Sequence, residues 1–383
     1  MDFGDNEGWE QETTLKSGFV AILGRPNAGK STLLNALTGE KVAIVSPKPQ
    51  TTRNRIMGVV EVAAKKGTNP AAQIVFVDTP GVHKPGSQLD KRMLQEVYEA
   101  LETRDLVLVL MDATRRVQLS EADGEAREKT RDQWTSEDEF LFGLIRKIDC
   151  PVFLLLTKID LVPKDRLLPL IESLTKQYEF AQVIPISARK RDGLDLLLSR
   201  IVDVLPIGER YFPKDQYTDQ PQRFMVAELI RESILTETGE EVPYASAVVI
   251  EAYEEPEIKP EGSAKKKKNT QPARLPLTRI AAAIYCERDG QKAILIGRAG
   301  SKLKEIGTAA RRKIESLLGT RVYLELHVIV EPNWRESKVF VEQLDWRNQL
   351  ERIAMEQVTE RSRFGDEAGE ETVQAAQEVR EQE

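Results

Sequence analysis

Gly24-Arg25-Pro26-Asn27-Ala28-Gly29-Lys30-Ser31 decides the fold of the first half of this chain, because it fills the pattern Gly-x-x-x-x-Gly-Lys-Ser/Thr without a mismatch. The apolar run FVAIL precedes it, and the helical pattern STLLNAL follows. A glycine-rich turn between a strand and a helix points backbone N–H groups at a phosphate chain. Lys30 is then expected at the β and γ phosphates, Ser31 at a magnesium ion and Thr32 beside them. A chance glycine-rich turn is the alternative, which the flanking elements disfavour.

Five apolar runs predict a sheet that is buried on both faces. Each is short, rich in leucine or β-branched residues, and ends near Gly, Asp, Thr or Ser. Helical patterns such as STLLNAL and DLLLSRIVDVL alternate with them. The predicted fold is a doubly wound α/β domain whose sheet is mainly parallel and whose site lies at the carboxyl ends of the strands. The runs are GFVAILG, QIVFVDTPG, LVLVLMDAT, PVFLLLTKID and QVIPISA.

Three short motifs after the later strands identify the nucleotide. Asp78-Thr79-Pro80-Gly81 offers a carboxylate for Mg²⁺ and a backbone N–H for the γ-phosphate. In Thr157-Lys158-Ile159-Asp160 the Asp160 carboxylate can accept paired hydrogen bonds from guanine, which adenine does not offer, and the stem of Lys158 can cover the base. Ser187 and Ala188 are expected to support the base oxygen through backbone N–H groups. Each motif is weak evidence alone, but these three together with the glycine-rich motif, in this order along the chain, predict that the nucleotide is GTP.

A threonine between the first two motifs is expected to complete the magnesium site. Within Pro49-Gln50-Thr51-Thr52-Arg53 we assign this role to Thr52, with Thr51 as the alternative. The surrounding loop should order around the γ-phosphate and relax after hydrolysis. Val82 follows Gly81, where many regulatory GTPases carry a glutamine that orients water. The predicted metal ligands are Ser31, Thr52 and Asp78, and the predicted catalytic residues are Lys30, Thr52, Asp78 and Gly81.

The second half of the chain predicts an RNA-binding domain. Ile294-Leu-Ile-Gly297-Arg298-Ala299-Gly300 joins two helical patterns through Gly-x-x-Gly, the loop with which a KH domain approaches a sugar–phosphate backbone. A plain helix–helix turn is the usual meaning of this motif. Flanking strand patterns and a basic second helix favour an α+β KH domain instead. The predicted RNA contacts are Gly297, Arg298, Ala299, Gly300, Lys302 and Lys304.

Charge is unevenly spread along the 383 residues, whose formal net charge is −7. Residues 274–330 carry 11 Lys and Arg against 5 Asp and Glu, so a basic island lies within an acidic chain. No apolar run reaches the ~18 residues that indicate a membrane-spanning helix. The two cysteines, Cys150 and Cys286, are far apart and lack metal-ligand neighbours, which predicts a reducing compartment, the cytoplasm.

Composition also predicts the domain boundaries. A charged insertion is expected at about 115–138 and a low-complexity insertion at about 257–273, and FMVAELIRESILTE is expected to form an amphipathic helix at the start of the KH domain. Trp334, Trp346 and Tyr323 are expected to pack in its core. The segments are an N-terminal extension (1–17), a GTPase domain (18–205), a linker (206–222), the KH domain (223–349) and an acidic C-terminal tail (350–383).

GRPNAGKST, PQTTRNRI, DTPGVHKP, TKID and ISA, in this order, resemble the Era family of GTPases, and the Gly-x-x-Gly half resembles the KH domain of that family. The resemblance covers residues 18 to about 348. It implies slow GTP hydrolysis by water, RNA binding near the 3′ end of small-subunit ribosomal RNA, and a role in assembly of the small ribosomal subunit. The sequence departs from the family at Ala299, where glycine is commoner, and in the lysine-containing insertion.

The same resemblance raises further expectations. In related GTPases an asparagine at the position of Asn27 helps to hold K⁺ near the phosphates, so K⁺ is a hypothesis here. The resemblance also suggests peripheral association with the inner face of the cell membrane, although no basic amphipathic helix in the sequence indicates it. We expect a monomer. A non-catalytic RNA-binding scaffold with GTP as a structural ligand is the alternative that Val82 keeps open, whereas Asp160 disfavours an ATPase or kinase.

Overall fold

The computed structural model of this protein describes residues 15–64, 70–115, 117, 136–239, 241–256 and 276–349. Most of the predicted N-terminal extension and of the charged insertion, and all of the low-complexity insertion and of the acidic tail, lie outside the described residues. Within these ranges an α/β unit is followed by an α+β unit. No helix in the described ranges is long and apolar enough to cross a membrane.

Six strands form the first sheet: β1 (Lys16–Gly24), β2 (Ile56–Val62), β3 (Ala72–Asp78), β4 (Leu106–Asp112), β5 (Val152–Thr157) and β6 (Gln182–Pro185). Their order is β2-β3-β1-β4-β5-β6, and every neighbouring pair is parallel except β2 with β3. All or nearly all residues of β3, β4 and β5 are buried, as strands covered on both faces require. The predicted doubly wound, mainly parallel sheet is confirmed.

Helices cover both faces of this sheet: α1 (Lys30–Thr38), α2 (Gln88–Glu102), α3 (Leu167–Thr175) and α4 (Leu194–Val204). Residues 136–145 are helical as well. One apolar core lies between the sheet and α1 with α4, and a second lies on the face that α2 and α3 cover. A capping box between Ser87 and Asp90 begins α2. This layering leaves the carboxyl ends of the strands open for a ligand.

Three strands form the second sheet: β7 (Ala247–Glu254), β8 (Leu277–Cys286) and β9 (Arg321–Val330), in that order. β7 is antiparallel to β8, and β8 is parallel to β9. Its helices are α5 (Gln222–Glu237), α6 (Asp289–Ile296), α7 (Ser301–Leu318) and α8 (Lys338–Gln343). The Gly-x-x-Gly loop joins α6 to α7, so the predicted α+β arrangement is confirmed.

The prediction of an amphipathic α5 was wrong. Residues 229–235 are all buried, and they include the charged side chains of Arg231 and Glu232. The cause is that α5 packs against its own sheet and α7 on one side and against residues 41–51 of the α/β unit on the other. A helix covered from two sides needs no polar stripe, and its buried charges need partners.

The aromatic residues of the second unit divide into two groups. Trp334 and Trp346 are buried, as predicted, but Tyr323 is 55% exposed, so its assignment to the core was wrong. Along β9, Val322 and Leu324 belong to the core that α7 covers. Because neighbouring residues of a strand face opposite sides, Tyr323 lies on the other face of the sheet.

The segment predicted as a linker lies along the first sheet. The backbone N–H groups of Tyr211 and Phe212 donate to Oε1 of the buried Gln73, at 2.8 and 3.0 Å. The Thr218 hydroxyl donates at 2.8 Å to the main chain of β2. Residues 206–221 are therefore fixed to the α/β unit, and α5 begins where they end.

Candidate functional site

The glycine-rich turn between β1 and α1 encloses Lys30. Gly29 has φ +97°, a left-handed conformation that favours glycine and lets the chain turn directly into α1. Lys30 Nζ donates to the carbonyl oxygens of Gly24 and Arg25, at 3.1 and 3.0 Å. Burial lowers the pKa of Lys30 to about 8, an effect that Asp78 partly offsets. A bound phosphate chain would stabilise the charged form of this lysine.

The three predicted metal ligands meet at the end of β3. Ser31 Oγ donates to Asp78 Oδ2 at 2.6 Å and lies 2.8 Å from Thr52 Oγ1, which is 3.4 Å from the same carboxylate oxygen. Thr51 instead donates its hydroxyl to Lys48 O at 2.7 Å. The structure therefore brings Thr52, and not Thr51, to the other two ligands.

The electrostatics of Asp78 fit a divalent cation. Its Oδ1 is buried and has no hydrogen-bond partner within the described ranges. Burial raises the pKa of Asp78 to about 6, although Lys30 and hydrogen bonds from Ser31 and Thr52 oppose the shift. Mg²⁺ prefers carboxylate and hydroxyl oxygens and would favour the ionised carboxylate. The donor set is thus suited to Mg²⁺.

The turn after β3 packs on the glycine-rich turn. Val82 N donates to Gly24 O at 3.0 Å. A Cβ atom on Gly81 would lie 2.7–2.8 Å from three atoms of Pro26, so only glycine fits this contact. Val82 is 1% exposed and its side chain packs in the core on the α2 face of the sheet. The valine that follows Gly81 therefore does not face the nucleotide site.

Two residues of this turn that were predicted to bind nucleotide are buried behind the cavity and support the turn. Thr79 is buried and donates its hydroxyl to Ile22 O at 2.7 Å, and Pro80 beside it is buried too. Neither lines the cavity described below. They hold Gly81 against the glycine-rich turn.

The base-recognition motifs follow β5 and β6. Thr157 donates its hydroxyl to Ala28 O at 2.7 Å, which ties this motif to the glycine-rich turn. Lys158 has φ +59°, and its Nζ lies 2.6 Å from Asp112 Oδ2 at the end of β4. Asp160 is exposed at the cavity wall, where its carboxylate can accept hydrogen bonds from a ligand. Sequence reasoning missed Asp112, although it ends a buried strand.

A cavity of about 510 Å³ lies between these groups and has the size of a small-ligand site. Ser187 forms mutual backbone hydrogen bonds of 3.0 Å with Asp192, which close the loop at the far end of the cavity. Of the predicted residues, the cavity is lined by Pro26, Asn27, Gly29, Lys30, Ser31, Thr32, Thr52, Gly81, Thr157, Lys158, Asp160, Ser187 and Ala188. The predicted residues Gly24, Arg25, Ala28, Asp78, Thr79 and Pro80 stand behind this lining.

Residues of the loop before Thr52 also line the cavity, and sequence reasoning missed them. They include Ile44, Ser46, Pro47 and Gln50. Asn27 Nδ2 donates to Pro47 O at 2.7 Å, so this loop is attached to the glycine-rich turn. No sequence motif marks Ile44, Ser46 or Pro47, because their place depends on how the second unit holds the loop. Gln50 lies within the motif that contains Thr52, but sequence reasoning assigned it no role.

The same loop is anchored on the second unit. Ile44 is 1% exposed and belongs to the apolar core between α5, α7 and the second sheet. Glu232 of α5 accepts from Val45 N at 3.0 Å and from Lys41 Nζ at 2.7 Å, and it pairs with Lys313 of α7 at 2.9 Å. The loop that contributes Thr52 to the site is therefore also packed into the second unit.

The residues on either side of Thr52 also form hydrogen bonds with the second unit. Arg231 donates to Thr51 O, and Arg53 donates to Ser246 O at 2.8 Å. Each residue that flanks Thr52 thus bonds to the second unit. A movement of Thr52 would therefore have to move α5 or the start of β7 as well, or break these hydrogen bonds.

The Gly-x-x-Gly loop turns sharply between α6 and α7, with positive φ angles at Gly297, Ala299 and Gly300. Gly297 has φ +69°, and a Cβ there would lie 2.7 Å from the Cβ of Lys302. Ala299 has φ +52°, which costs a residue with a Cβ ~1–2 kcal/mol and explains why glycine suits this position. Arg298 and Lys304 are exposed, whereas Lys302 pairs with Glu305 at 2.6 Å. The loop therefore offers two exposed cations and one paired cation.

Comparison with known proteins identifies the family. One family model, described as a 50S ribosome-binding GTPase, matches residues 19–158, and a second, described as a KH domain, matches residues 241–335. GTPase Era of Ruminiclostridium cellulolyticum is 41% identical over 334 residues, which cover 87% of this chain and 98% of that protein. The chain belongs to the Era family of GTPases. GTPase Era of Lacticaseibacillus paracasei is 44% identical over 86% of this chain and 96% of that protein.

Solved structures of Era proteins agree with this membership. A variant of Aquifex aeolicus Era bound to GDP and AlF₄⁻ has a TM-score of 0.72 and 37% identity, covering 86% of this chain and 99% of that chain. Era in complex with MgGDPNP and nucleotides 1506–1542 of 16S ribosomal RNA has the same TM-score and identity, covering 87% and 99%. As an Era-family GTPase, this protein binds guanine nucleotide and hydrolyses GTP to GDP and phosphate.

Proposed function

We propose that this GTPase binds ribosomal RNA of the small subunit near its 3′ end and acts in assembly of that subunit. The Era complex with nucleotides 1506–1542 of 16S ribosomal RNA supports the choice of RNA, since that protein is 37% identical over nearly its whole length. The exposed cations beside the Gly-x-x-Gly loop support backbone contacts. The proposed contact residues are Gly297, Arg298, Ala299, Gly300, Lys302 and Lys304.

Nucleotide binding is assigned as follows. Lys30 neutralises the β and γ phosphates, and Ser31, Thr52 and Asp78 hold Mg²⁺, which neutralises charge that develops on the phosphates during hydrolysis. Gly81 offers its N–H to the γ-phosphate. The proximity of the three oxygen ligands, 2.6–3.4 Å from one another, supports the metal assignment.

Guanine selection is assigned to the exposed Asp160, whose carboxylate would accept from the ring N–H and the exocyclic amine of the base. Lys158, fixed by Asp112, would cover the base with its stem. Thr157, Ser187 and Ala188 complete this end of the cavity. The remaining proposed nucleotide-site residues are Gly24, Arg25, Pro26, Asn27, Ala28, Gly29, Thr32, Thr79 and Pro80.

A potassium ion near Asn27 is a further part of the proposal. The Asn27 amide is fixed by its hydrogen bond to Pro47 O, which leaves its carbonyl oxygen as a candidate ligand. Such an ion would supply positive charge where no arginine is assigned. Replacement of K⁺ by Na⁺ should then slow GTP turnover, and an unchanged rate would exclude the idea.

The packing of Ile44 in the second unit is the observation that carries the switch mechanism. Ile44 lines the nucleotide cavity and also lies in the apolar core of the KH unit. Loss of the γ-phosphate would release Thr52, and the same loop holds Ile44 and the partners of Glu232. Hydrolysis would thereby change how the two units are joined, and with it the affinity for RNA.

This proposal includes the domain organisation of the chain. The GTPase domain covers 18–205, the linker 206–222 and the KH domain 223–349, with insertions at 115–138 and 257–273 and flanking segments 1–17 and 350–383. The proposal also includes a monomeric state, a place in the cytoplasm and peripheral association with the membrane. None of these is needed for the RNA-coupled GTPase mechanism.

GTP turnover with and without an RNA oligonucleotide that copies the 3′ end of small-subunit ribosomal RNA tests the proposal. The matched variant is Gly297→Asp with Gly300→Asp, which puts two carboxylates where the RNA backbone would approach. We expect the RNA to stimulate wild-type turnover and the double variant to lose the stimulation. Equal turnover with and without RNA in the wild type, together with no measurable RNA binding, would refute it.

A further inference from the structure

The structure leaves the water-orienting group of the hydrolysis reaction open. Val82 occupies the position after Gly81, and its side chain is buried away from the cavity. GTP hydrolysis needs a group that holds a water in line with the γ-phosphorus, and a carboxamide suits this because it both donates and accepts. Another amide at the γ-phosphate end of the cavity would meet this need.

Gln50 is such a residue. It lines the cavity together with Thr52 and Gly81, the two residues assigned to the γ-phosphate and its metal ion. Only Thr51 separates it from Thr52, so the two Cα atoms lie within ~7 Å of each other. Gln50 therefore lies on the part of the cavity wall that carries the predicted magnesium-binding threonine.

The backbone of Gln50 is held in a costly conformation. Its φ is +57°, in the left-handed region that residues with a Cβ rarely adopt and that costs ~1–2 kcal/mol. Such strain persists only where surrounding contacts impose it, and it concentrates at functional sites. The neighbouring Thr51 is fixed on both sides, because its hydroxyl donates to Lys48 O at 2.7 Å and its carbonyl accepts from Arg231.

The side chain of Gln50 joins the loop before Thr52 to the segment after Gly81. Its Nε2 donates to Asp90 Oδ1 at 3.1 Å and lies 2.9 Å from His83 Nε2, which can accept from it. His83 is the residue after Val82, and Asp90 lies in the first turn of α2. The amide thus reaches the segment that would otherwise carry a glutamine.

We propose that the Gln50 carboxamide orients the attacking water in GTP hydrolysis. The inference rests on the GTPase activity of the family. The water oxygen forms a bond to the γ-phosphorus as the bond from that phosphorus to the β–γ bridging oxygen breaks. GDP keeps the bridging oxygen, and the two water protons end on inorganic phosphate and in solvent. Gln50 exchanges no proton; its Oε1 holds the water by accepting a hydrogen bond from it, while its Nε2 keeps the contacts with His83 and Asp90.

A latch between two loops is the alternative role for Gln50. In that case the contact with His83 and Asp90 would only hold the loop before Thr52 in place. Loss of either side of the latch would then have the same effect. His83→Ala removes one side and leaves the Gln50 amide intact, so it is the matched comparison.

The test compares Gln50→Ala and Gln50→Gly with His83→Ala in the full chain. Gln50→Gly removes the side chain and relieves the backbone strain, so it guards against misfolding. Three quantities are measured: kcat for GTP, affinity for GDPNP, and affinity for GDP with aluminium fluoride. An interaction made only in the transition state lowers kcat and the affinity for the transition-state analogue, but not the affinity for the ground-state analogue.

We expect both Gln50 variants to lose at least about tenfold in kcat and in affinity for GDP with aluminium fluoride, and to bind GDPNP within about threefold of the wild type. His83→Ala should retain kcat within about threefold. An unchanged kcat in the Gln50 variants would overturn the proposal. So would an equal loss in His83→Ala, or a loss of GDPNP affinity as large as that of the transition-state analogue, since either would indicate a latch.

Discussion

The junction between the two units should depend strongly on Ile44. The side chain is 1% exposed, and its apolar neighbours belong to α5, α7 and the second sheet. Ile44→Ala removes three buried carbon atoms, a change that costs about 2–4 kcal/mol when the surroundings cannot collapse. When the loop opens from the second unit, residue 44 is exposed to water in the wild type and in the variant alike. The substitution therefore destabilises only the state in which the loop is packed against the second unit.

Native-state hydrogen exchange measures this cost directly. Val45 N donates to Glu232 Oε1 at 3.0 Å, so its amide exchanges only when the loop opens from α5. A loss of about 2–4 kcal/mol corresponds to a faster exchange by about 30- to 700-fold, at 1.4 kcal/mol for each factor of ten. Exchange is followed by mass spectrometry on a peptide that covers residues 41–48, with the GTP analogue GDPNP bound throughout.

Ile74→Ala is the matched control. Ile74 is fully buried within the first core and does not face the second unit. The same deletion there should lower the free energy of unfolding of the α/β unit but leave exchange in residues 41–48 within about threefold of the wild type. Exchange at Val45 that is equally slow in Ile44→Ala and in the wild type would refute the role given to Ile44.

Three further substitutions test the nucleotide site. Gly81→Ala places a Cβ 2.7 Å from Pro26, so the glycine-rich turn must shift. GTP turnover should fall at least about tenfold while the circular dichroism spectrum stays native. Normal turnover would contradict the packing argument. Asp160→Asn should weaken GTP about 30-fold or more in a fluorescence titration, because the base loses a charged acceptor, and should improve binding of xanthosine triphosphate. Asp78→Asn should remove most of the Mg²⁺ dependence of GDPNP affinity, and a dependence like that of the wild type would argue against Asp78 as a metal ligand.

The grouping of the candidate nucleotide-site residues was largely predictable from the sequence because its parts are local. Lys30 and Asp160 each follow a buried strand and Asp78 ends one, and a parallel sheet brings the carboxyl ends of its strands to one edge. The choice of Thr52 over Thr51 fits the structure, since the Thr52 hydroxyl approaches Asp78. Short motifs with fixed backbone geometry can be read without knowledge of the rest of the chain.

The junction between the units was not predictable in the same way. Ile44 lies in a loop without apolar periodicity, and its burial depends on α5, which is about 180 residues away along the chain. The buried charges Arg231 and Glu232 made α5 look amphipathic, whereas each is paired across or beside the junction. Tyr323 was misassigned because alternation along β9 does not tell which face of a sheet a helix covers.

The affinity of the protein for the 3′-end ribosomal RNA oligonucleotide, measured with GDPNP bound and again with GDP bound, tests the central claim most directly. The claim is that one loop serves both the γ-phosphate and the KH unit. It predicts that the two affinities differ by at least about fivefold, and that Ile44→Ala reduces this difference. Equal affinities in the two nucleotide states of the wild type, with RNA bound in both, would contradict the claim.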